Sequence, residues 1–422
     1  MNPITITLLF LAFTVVMFIW EKIPLALTAM IVSIGLSLTG VISFQESFAG
    51  FTDSTVLLFA GMFVVGGALF ETGMANELGN LLMKFAKTER QAIVAVMVIA
   101  GLAAGVLSNT GVAAILIPIV VGLSAKSGFT RTRLLMPLAL ASTLGGDLSV
   151  VGTPGNMIAH NALVEIGSGF GFFEFALIGG PILLFGIIYY VLIGYKLLPD
   201  VDKPLAEGDF KEVRDFSHVP KWKKTMSLAV LIAVILGMVF EGYLGLPLFM
   251  ISAIGAVTLV LTGVITEKQA YASMDTKVIF LFAGTMALAS ALYTTGAGAA
   301  IVSRVVAFLG ENPSELSVLA TILIITFTLT TFMSNTATAA LIVPINLGIA
   351  LSIGADPRGA MMATAIGSSW AFASPVSTPA NAMILSLGGY KYLDYMKVGI
   401  PMMVIAFISS MILIPMFFPF FP

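Results

Sequence analysis

The chain alternates long apolar runs with short polar breaks, and the runs have the length a bilayer sets. A hydrocarbon core is about 30 Å thick, so a spanning helix needs roughly 20 mostly apolar residues. Runs of that kind predict spans near residues 3–20, 23–42, 54–72, 134–165 and 173–195, and again near 225–241, 246–264, 278–295, 358–388 and 395–419. Two further apolar stretches, 91–124 and 315–352, are each divided by a polar triplet. In the first, the break at 108–111 leaves arms of about 16 and 13 residues. At 1.5 Å per residue the second arm covers only about 20 Å, which predicts a re-entrant hairpin that enters and leaves on one side. Residues 75–87 place Leu78, Leu81, Leu82 and Phe85 opposite Glu77, Asn80 and Lys84 at helical spacing. They predict a helix lying in the interface, and 301–309 predict a second one.

The pattern occurs twice. Ser108-Asn109-Thr110 returns 226 positions later as Ser334-Asn335-Thr336, and each triplet is followed at the same distance by a proline, Pro118 and Pro344. Gly152-Thr153-Pro154-Gly155-Asn156 returns as Ser377-Thr378-Pro379-Ala380-Asn381. Leu58-Phe59-Ala60-Gly61 answers Leu281-Phe282-Ala283-Gly284, Gly73 answers Gly296, and Phe173-Glu174-Phe175 answers Leu393-Asp394-Tyr395. Two units follow. Residues 1–198 hold the hairpin 91–124 and a broken helix 134–165; residues 225–422 hold the hairpin 315–352 and a broken helix 358–388; the polar connection 199–224 joins them. Five spans per unit is an odd number, so the second copy inserts upside down relative to the first. The distribution of positive charge is an independent test. With the connection in the cytoplasm, 18 of the 20 Lys and Arg residues fall inside, leaving only Arg304 and Arg358 outside. The expected fold is an all-α polytopic membrane protein of two inverted repeats, each of five transmembrane helices plus a re-entrant hairpin. Discontinuous helices meet at the midplane, and both termini lie outside.

Composition removes other classes. With 58% hydrophobic and 10% charged residues and a mean hydropathy of +1.05, the chain has too little polar surface for a soluble domain. The first 20 residues lack the basic start and small-residue cleavage site of a signal peptide. The absence of cysteine excludes disulfides and thiolate chemistry. With a single membrane histidine and no zinc or nucleophile motif, little is left for catalysis, so the chain is not expected to be an enzyme. No cofactor and no nucleic-acid partner is indicated.

The breaks carry the chemistry. Backbone that leaves the helix at membrane depth is tolerated only where protein or a water-filled cavity satisfies its polar groups, so four breaks imply a shared polar centre. Helices starting just after Thr110, Asn156, Thr336 and Asn381 would aim unpaired N–H groups at that centre and favour an anion. Arms ending just before Ser108 and Ser334 would present carbonyl oxygens to a small cation. Inverted repeats with such breaks are the architecture of secondary transporters. No Lys or Arg stands at any break. A divalent anion entering a low-dielectric centre is therefore expected to travel with cations or to be exchanged for another anion. Asp147, an acid inside a broken span, is a candidate proton or cation site, or else a cap for the neighbouring break. Asp53, Glu71 and Asp275 sit at span ends and are expected to be interfacial. His160 has no visible partner in the sequence, and a packing role is expected.

The paired Ser-Asn-Thr motifs, each followed by a Thr-Pro-x-Asn break, resemble the divalent anion/sodium symporters over essentially the whole chain. The resemblance implies a homodimer in the cell (inner) membrane, with a fixed scaffold and a transport domain that moves like an elevator. It implies small di- or tricarboxylates such as succinate, malate, fumarate or citrate as substrates, with Na+ as coupling ion or by exchange. Carried over by position, Ser108, Asn109 and Gly152 form one sodium site, and Thr330, Asn335 and Ser377 the other. Substrate contacts fall on Asn109, Thr110, Asn335 and Thr336, with Thr153, Thr378 and Pro379 close by. Three departures stand out: Ala104 where a hydroxyl ligand is expected in the first sodium site, Gly155 where a second proline is common, and no extra leading helix. The competing readings are a sulfate carrier, a cation/proton antiporter or arsenite-type efflux protein using Asp147, and a membrane subunit served by a separate binding protein.

Overall fold

A computed structural model describes residues 2–20, 22–74, 87–199, 216, 218–309, 313–375 and 377–421, and it holds helices and no strand among them. The first half contains α1 (Pro3–Trp20), α2 (Leu25–Leu38), α3 (Phe44–Phe48), α4 (Ser54–Glu71), α5 (Glu89–Ala104), α6 (Asn109–Ser127), α7 (Arg131–Gly146), α8 (Pro154–Val164) and α9 (Ala176–Tyr189). A π-helical turn, Tyr190–Gly194, and Tyr195–Leu197 extend α9. The second half contains α10 (Lys221–Val239), α11 (Glu241–Leu244), α12 (Leu248–Leu261), α13 (Glu267–Ser273), α14 (Thr276–Thr294), α15 (Ala297–Leu309), α16 (Glu315–Phe332), α17 (Asn335–Ser352), α18 (Pro357–Ser368), α19 (Pro379–Leu387) and α20 (Tyr392–Phe417). Eight helical stretches among the described residues are long and apolar enough to cross a membrane, and the chain is a multi-pass membrane protein. Residues 75–86 of the first interfacial segment, and most of the 199–224 connection, lie outside the described residues. The second interfacial segment is the end of α15, where Val302 is buried while Ser303 and Arg304 are exposed.

Packing between the halves is reciprocal. Helix α2 runs along α14, and α12 runs along α4. At the first crossing a Cβ on Gly284 would sit 2.7 Å from the carbonyl carbon of Ala29; at the second, a Cβ on Gly61 would sit 2.5 Å from Ser252 Oγ. Gly284 stands 223 positions after Gly61, and Ser252 stands 223 after Ala29, so each contact is the other with the partners exchanged. Small residues at such crossings let backbones touch where lipid supplies no hydrophobic drive for association. The surface helices repeat as well. Ser43 and Glu46 form a capping box on α3, and Thr266 and Gln269 form the same box on α13, again 223 positions apart.

The stretch 91–124 differs from its expected form in one respect. Helix α6 runs for 19 residues to Ser127 and closes on Gly128 in the left-handed conformation, with φ at 72°. At 1.5 Å per residue that is about 28 Å, so shortness of the second arm gives no argument for re-entrance. The apolar run stops near Ser124, but helix needs no apolar side chains at a surface. Ser127 Oγ donates to Leu123 O, and Ser124 Oγ to Phe129 O, so polar side chains finish the last turn. What bears on re-entrance is where the two ends lie. Glu89, at the start of α5, accepts hydrogen bonds from the amide of Thr130 (3.2 Å) and from Arg133 (3.3 Å), both just beyond α6. In the second half Phe420 joins the two ends in the same way. Its amide donates to Glu315 Oε1 at the start of α16 (2.6 Å), and its carbonyl accepts from Asp356 N beyond α17 (2.7 Å).

Candidate functional site

Each of the four polar breaks ends in a capped helix N-terminus. Ser108 Oγ accepts from Gly111 N (3.0 Å) and Ser334 Oγ from Ala337 N (3.2 Å), so α6 and α17 begin at the asparagine of each triplet. Thr153 Oγ1 accepts from Asn156 N (3.3 Å) and Thr378 Oγ1 from Asn381 N (3.2 Å), with Pro154 and Pro379 as the first residues of α8 and α19. A side-chain cap satisfies one of the amides a helix start leaves unpaired, while others remain for a ligand or water. Thr110, Asn109, Asn335 and Thr336 are half-buried, and Thr153 and Thr378 are buried. Pro379 is exposed.

Two asparagines hold the breaks together. The Asn156 amide donates to Gly146 O (3.1 Å) and Ser149 O (2.8 Å). The Asn381 amide donates to Ala371 O (3.3 Å) and Ser374 O (2.9 Å), the same distances back along the chain. Each amide thus pairs with carbonyls stranded where the preceding helix unwinds, a need that lipid cannot meet. These asparagines belong to the recognised motifs, but their clamping role was not legible from spacing alone.

The two triplets differ in what surrounds them. In the second half Thr330 Oγ1 lies within hydrogen-bonding reach of Ser368 O (2.6 Å) and Asn335 Oδ1 (2.9 Å). The Asn335 amide donates to Ser369 O (3.2 Å), and Ser377 Oγ to Thr331 O (3.1 Å). Thr330, Asn335 and Ser377 therefore gather around the end of α16 and the unwound end of α18. In the first half Ala104 occupies the position of Thr330, 226 residues earlier. Asn109 Oδ1 accepts from Thr110 N at 2.7 Å, and Thr110 Oγ1 lies 3.3 Å from the same oxygen. Gly152 packs on its own break, where an added Cβ would meet Gly146 O at 2.2 Å. Ser108 and Asn109 are thus at the tip as expected, but the polar cage seen around Asn335 is not repeated there.

The halves meet at these breaks, since α8 packs on both α17 and α18. Gly155 makes the approach: a Cβ there would sit 2.8 Å from Ser368 Oγ and 3.3 Å from Ala339 Cβ. Two cavities flank the junction. One, of about 250 Å³, reaches Ser108 and Val151; the other, of about 540 Å³, is lined by Ser54, Thr55, His160 and Asn161; Met157 borders both. His160 Nδ1 accepts from Phe170 N at 3.1 Å. Asp53 and Asp275 cap α4 and α14, and Glu71 accepts from Gln269. Asp147 lies at the end of α7, 1% exposed, with its carboxylate toward Ser369 and Trp370. No group of three or more metal-ligating His, Cys, Asp or Glu side chains occurs among the described residues.

The sequence profile of the citrate transporters (CitMHS) matches residues 15–253 and 238–421. The chain belongs to the citrate transporter family. Like the rest of this family it is a transporter and not an enzyme. Among curated relatives it is 29% identical to an uncharacterised transporter of Haemophilus influenzae, over 92% of this chain and 86% of that one. It is 24% identical to YfbS, an uncharacterised transporter of Escherichia coli, over 97% and 98%. It is also 24% identical to SdcS of Staphylococcus saprophyticus, a sodium-dependent dicarboxylate transporter, over 90% and 80%. Among solved structures the fold resembles the YdaH transporter of Alcanivorax borkumensis, with a TM-score of 0.63 and 15% identity over the full length of both chains. It also resembles MtrF of Neisseria gonorrhoeae, with a TM-score of 0.58 and 15% identity over 98% of this chain and 94% of that one.

Proposed function

We propose that this member of the citrate transporter family carries small divalent anions, di- or tricarboxylates such as succinate, malate, fumarate or citrate. Transport runs by sodium-coupled symport or by anion exchange. The observation that carries the reading is the duplicated, capped break: four helix N-termini, each opened by Ser or Thr, with no lysine or arginine in any of them. Such a centre offers amide and hydroxyl donors to carboxylate oxygens and favours negative charge through helix dipoles. It leaves the net charge to be balanced by cations that travel with the substrate or by a counter-anion. Asn109, Thr110, Asn335 and Thr336 are assigned to the substrate, with Thr153, Thr378 and Pro379 at its edge. Sodium is assigned to Thr330, Asn335 and Ser377, and to a weaker first site at Ser108, Asn109 and Gly152. The sodium-dependent dicarboxylate transporter among the relatives supports both substrate class and ion.

The reciprocal α2–α14 and α12–α4 crossings, together with the charge bias, support two inverted repeats. The hydrogen bonds that tie Glu89 to residues 130 and 133, and Phe420 to Glu315 and Asp356, support two re-entrant hairpins. In this reading the hairpins and broken helices move as one body against α2, α4, α12 and α14. The protein is a homodimer in the inner membrane, with both termini outside. The test is uptake of radiolabelled succinate into proteoliposomes holding this protein alone, with an inward sodium gradient and with choline in place of sodium. Sodium-dependent accumulation, competed by citrate or malate, is expected. Counterflow without sodium dependence would make it an exchanger, and uptake of sulfate with none of succinate would overturn the substrate class.

A further inference from the structure

Asp147 is the one carboxylate among the described residues that is both buried at membrane depth and left with an open oxygen. Among the described residues its Oδ1 has no hydrogen-bond partner, and the indole Nε1 of Trp370, which faces it, has none either. Trp370 is fully buried and Ser369 1% exposed, so neither is in contact with bulk water. The side chain does not cap the break: it sits at the C-terminal end of α7, where helix carbonyls and the negative end of the dipole gather. An acid belongs at the other end of a helix. Among the described residues no opposite charge is paired with it. Helix α5 is apolar from Ala92 to Ala104 and α9 from Ala176 to Ile188, and α6 carries no titratable residue before Lys126. Helix α19 carries none at all. On α18 the only charge is Arg358, in the first turn and paired with Glu174; on α8, His160 is turned to the Phe170 amide; on α7, Arg131 and Arg133 lie in the first turn.

A carboxylate so placed is served in two states. The Ser369 hydroxyl and the Trp370 N–H are donors for it when charged, and its open oxygen can carry a proton when it is not. The same half of the molecule has Ala104 where the other has Thr330, and lacks the polar cage around its asparagine. We propose that the two halves bind different coupling ions: sodium at the second break, and a proton on Asp147, taken up with the substrate on one side of the membrane and released on the other. This rests on the symport reading above and specifies its ions. Only the O–H bond of one carboxyl group forms and breaks, and the proton comes from and returns to water.

The test uses the intact protein in proteoliposomes with the membrane potential clamped by potassium and valinomycin, succinate as the probe and a pH dye in the lumen. Sodium-driven succinate uptake by the wild type is expected to acidify the lumen. At a fixed sodium gradient, an inward proton gradient of one pH unit is expected to raise the final accumulation about tenfold, as one co-transported proton requires. Asp147→Asn, which keeps the shape and a donor, is expected to abolish both the acidification and the response to the pH gradient. Should it fold poorly, the wild-type dye signal decides alone. Thr330→Ala is expected to weaken the sodium response and leave the proton response. Sodium-driven uptake with no lumenal acidification in the wild type, or an Asp147→Asn protein that still acidifies the lumen, would overturn the assignment and leave symport standing. Absence of uptake under either gradient would overturn symport itself.

Discussion

The hydroxyl of Tyr390 accepts a hydrogen bond from the amide of Met136 at 3.0 Å, across 254 residues of sequence. It also donates to the carbonyl of Thr132, so it sits inside the ladder of α7, between an amide and the carbonyl four residues back that would otherwise pair with it. Pro137 follows directly and lacks an amide of its own. An inserted hydroxyl at a proline is an identifiable cause of a bend in a helix. It ties the first-half helix that leads into Asp147 to the loop between α19 and α20. Tyr390→Phe leaves both backbone groups buried without this partner, at a cost of about 1–3 kcal/mol. A lower melting temperature in detergent and faster hydrogen exchange at Met136 are expected. Unchanged exchange there would show that the helix re-forms its own bond.

Asn156 and Asn381 make a paired prediction. Replacing either with alanine removes two hydrogen bonds to break carbonyls, and leaves buried acceptors that cost about 1–3 kcal/mol each. Both variants should lose thermal stability by similar amounts, since the partners are equivalent by position. A large loss in one and none in the other, measured by thermal unfolding in the same detergent, would mean that the two breaks are supported by different contacts.

The sequence made much of this legible, for physical reasons. Bilayer thickness dictates the length of apolar runs, which is why α1, α4, α10 and α14 lie within a few residues of their expected bounds. Polar residues interrupting such runs have few explanations at membrane depth, and Ser108, Ser334, Thr153 and Thr378 are N-caps as their types suggest. The end of α6 at Ser127 is not legible from the apolar run, because apolar content marks where lipid ends, not where helix ends. The capping boxes at Ser43–Glu46 and Thr266–Gln269 were readable as S/T-x-x-E/Q but lay outside the apolar runs. Tyr390 and Ser369 carried no signal, since their roles depend on which loop packs on which helix.

Gly155 departs from the proline common at its position, and the expectation from sequence is a looser break. The contact with Ser368 also gives the glycine a packing role. Gly155→Ala would bring a methyl group to 2.8 Å from the Ser368 hydroxyl and 3.3 Å from Ala339, so the hydroxyl must turn away or one of the helices must shift. Overpacking of this kind costs about 1–3 kcal/mol. Ser368→Ala removes the nearer atom, whose own hydroxyl bonds only locally to Ala365 O. The double variant should therefore recover much of the stability lost by Gly155→Ala, a coupling that a double-mutant cycle of unfolding measurements reads directly. Additive losses would mean that the crowding is with Ala339.

The asymmetry between Thr330 and Ala104 separates ion from substrate in a single pair of variants. Thr330→Ala removes the hydroxyl that spans Ser368 O and Asn335 Oδ1, and so an oxygen assigned to sodium along with the group that orients the asparagine amide. Loss of one coordinating oxygen is comparable in size to loss of a hydrogen bond to a charged group, about 1.5–3 kcal/mol, so the sodium concentration for half-maximal uptake should rise roughly tenfold or more. Thr336→Ala lies one residue beyond Asn335, half-buried at the start of α17, and removes a hydroxyl assigned to the anion. It should raise the KM for succinate while the sodium dependence at saturating substrate stays near that of the wild type. Because cation and anion sites share Asn335, some cross-effect is expected, but the larger change must fall on a different ligand in each variant. If both variants shift sodium and succinate by the same factor, the two sites are not separable and the assignment of Thr330 to the cation fails.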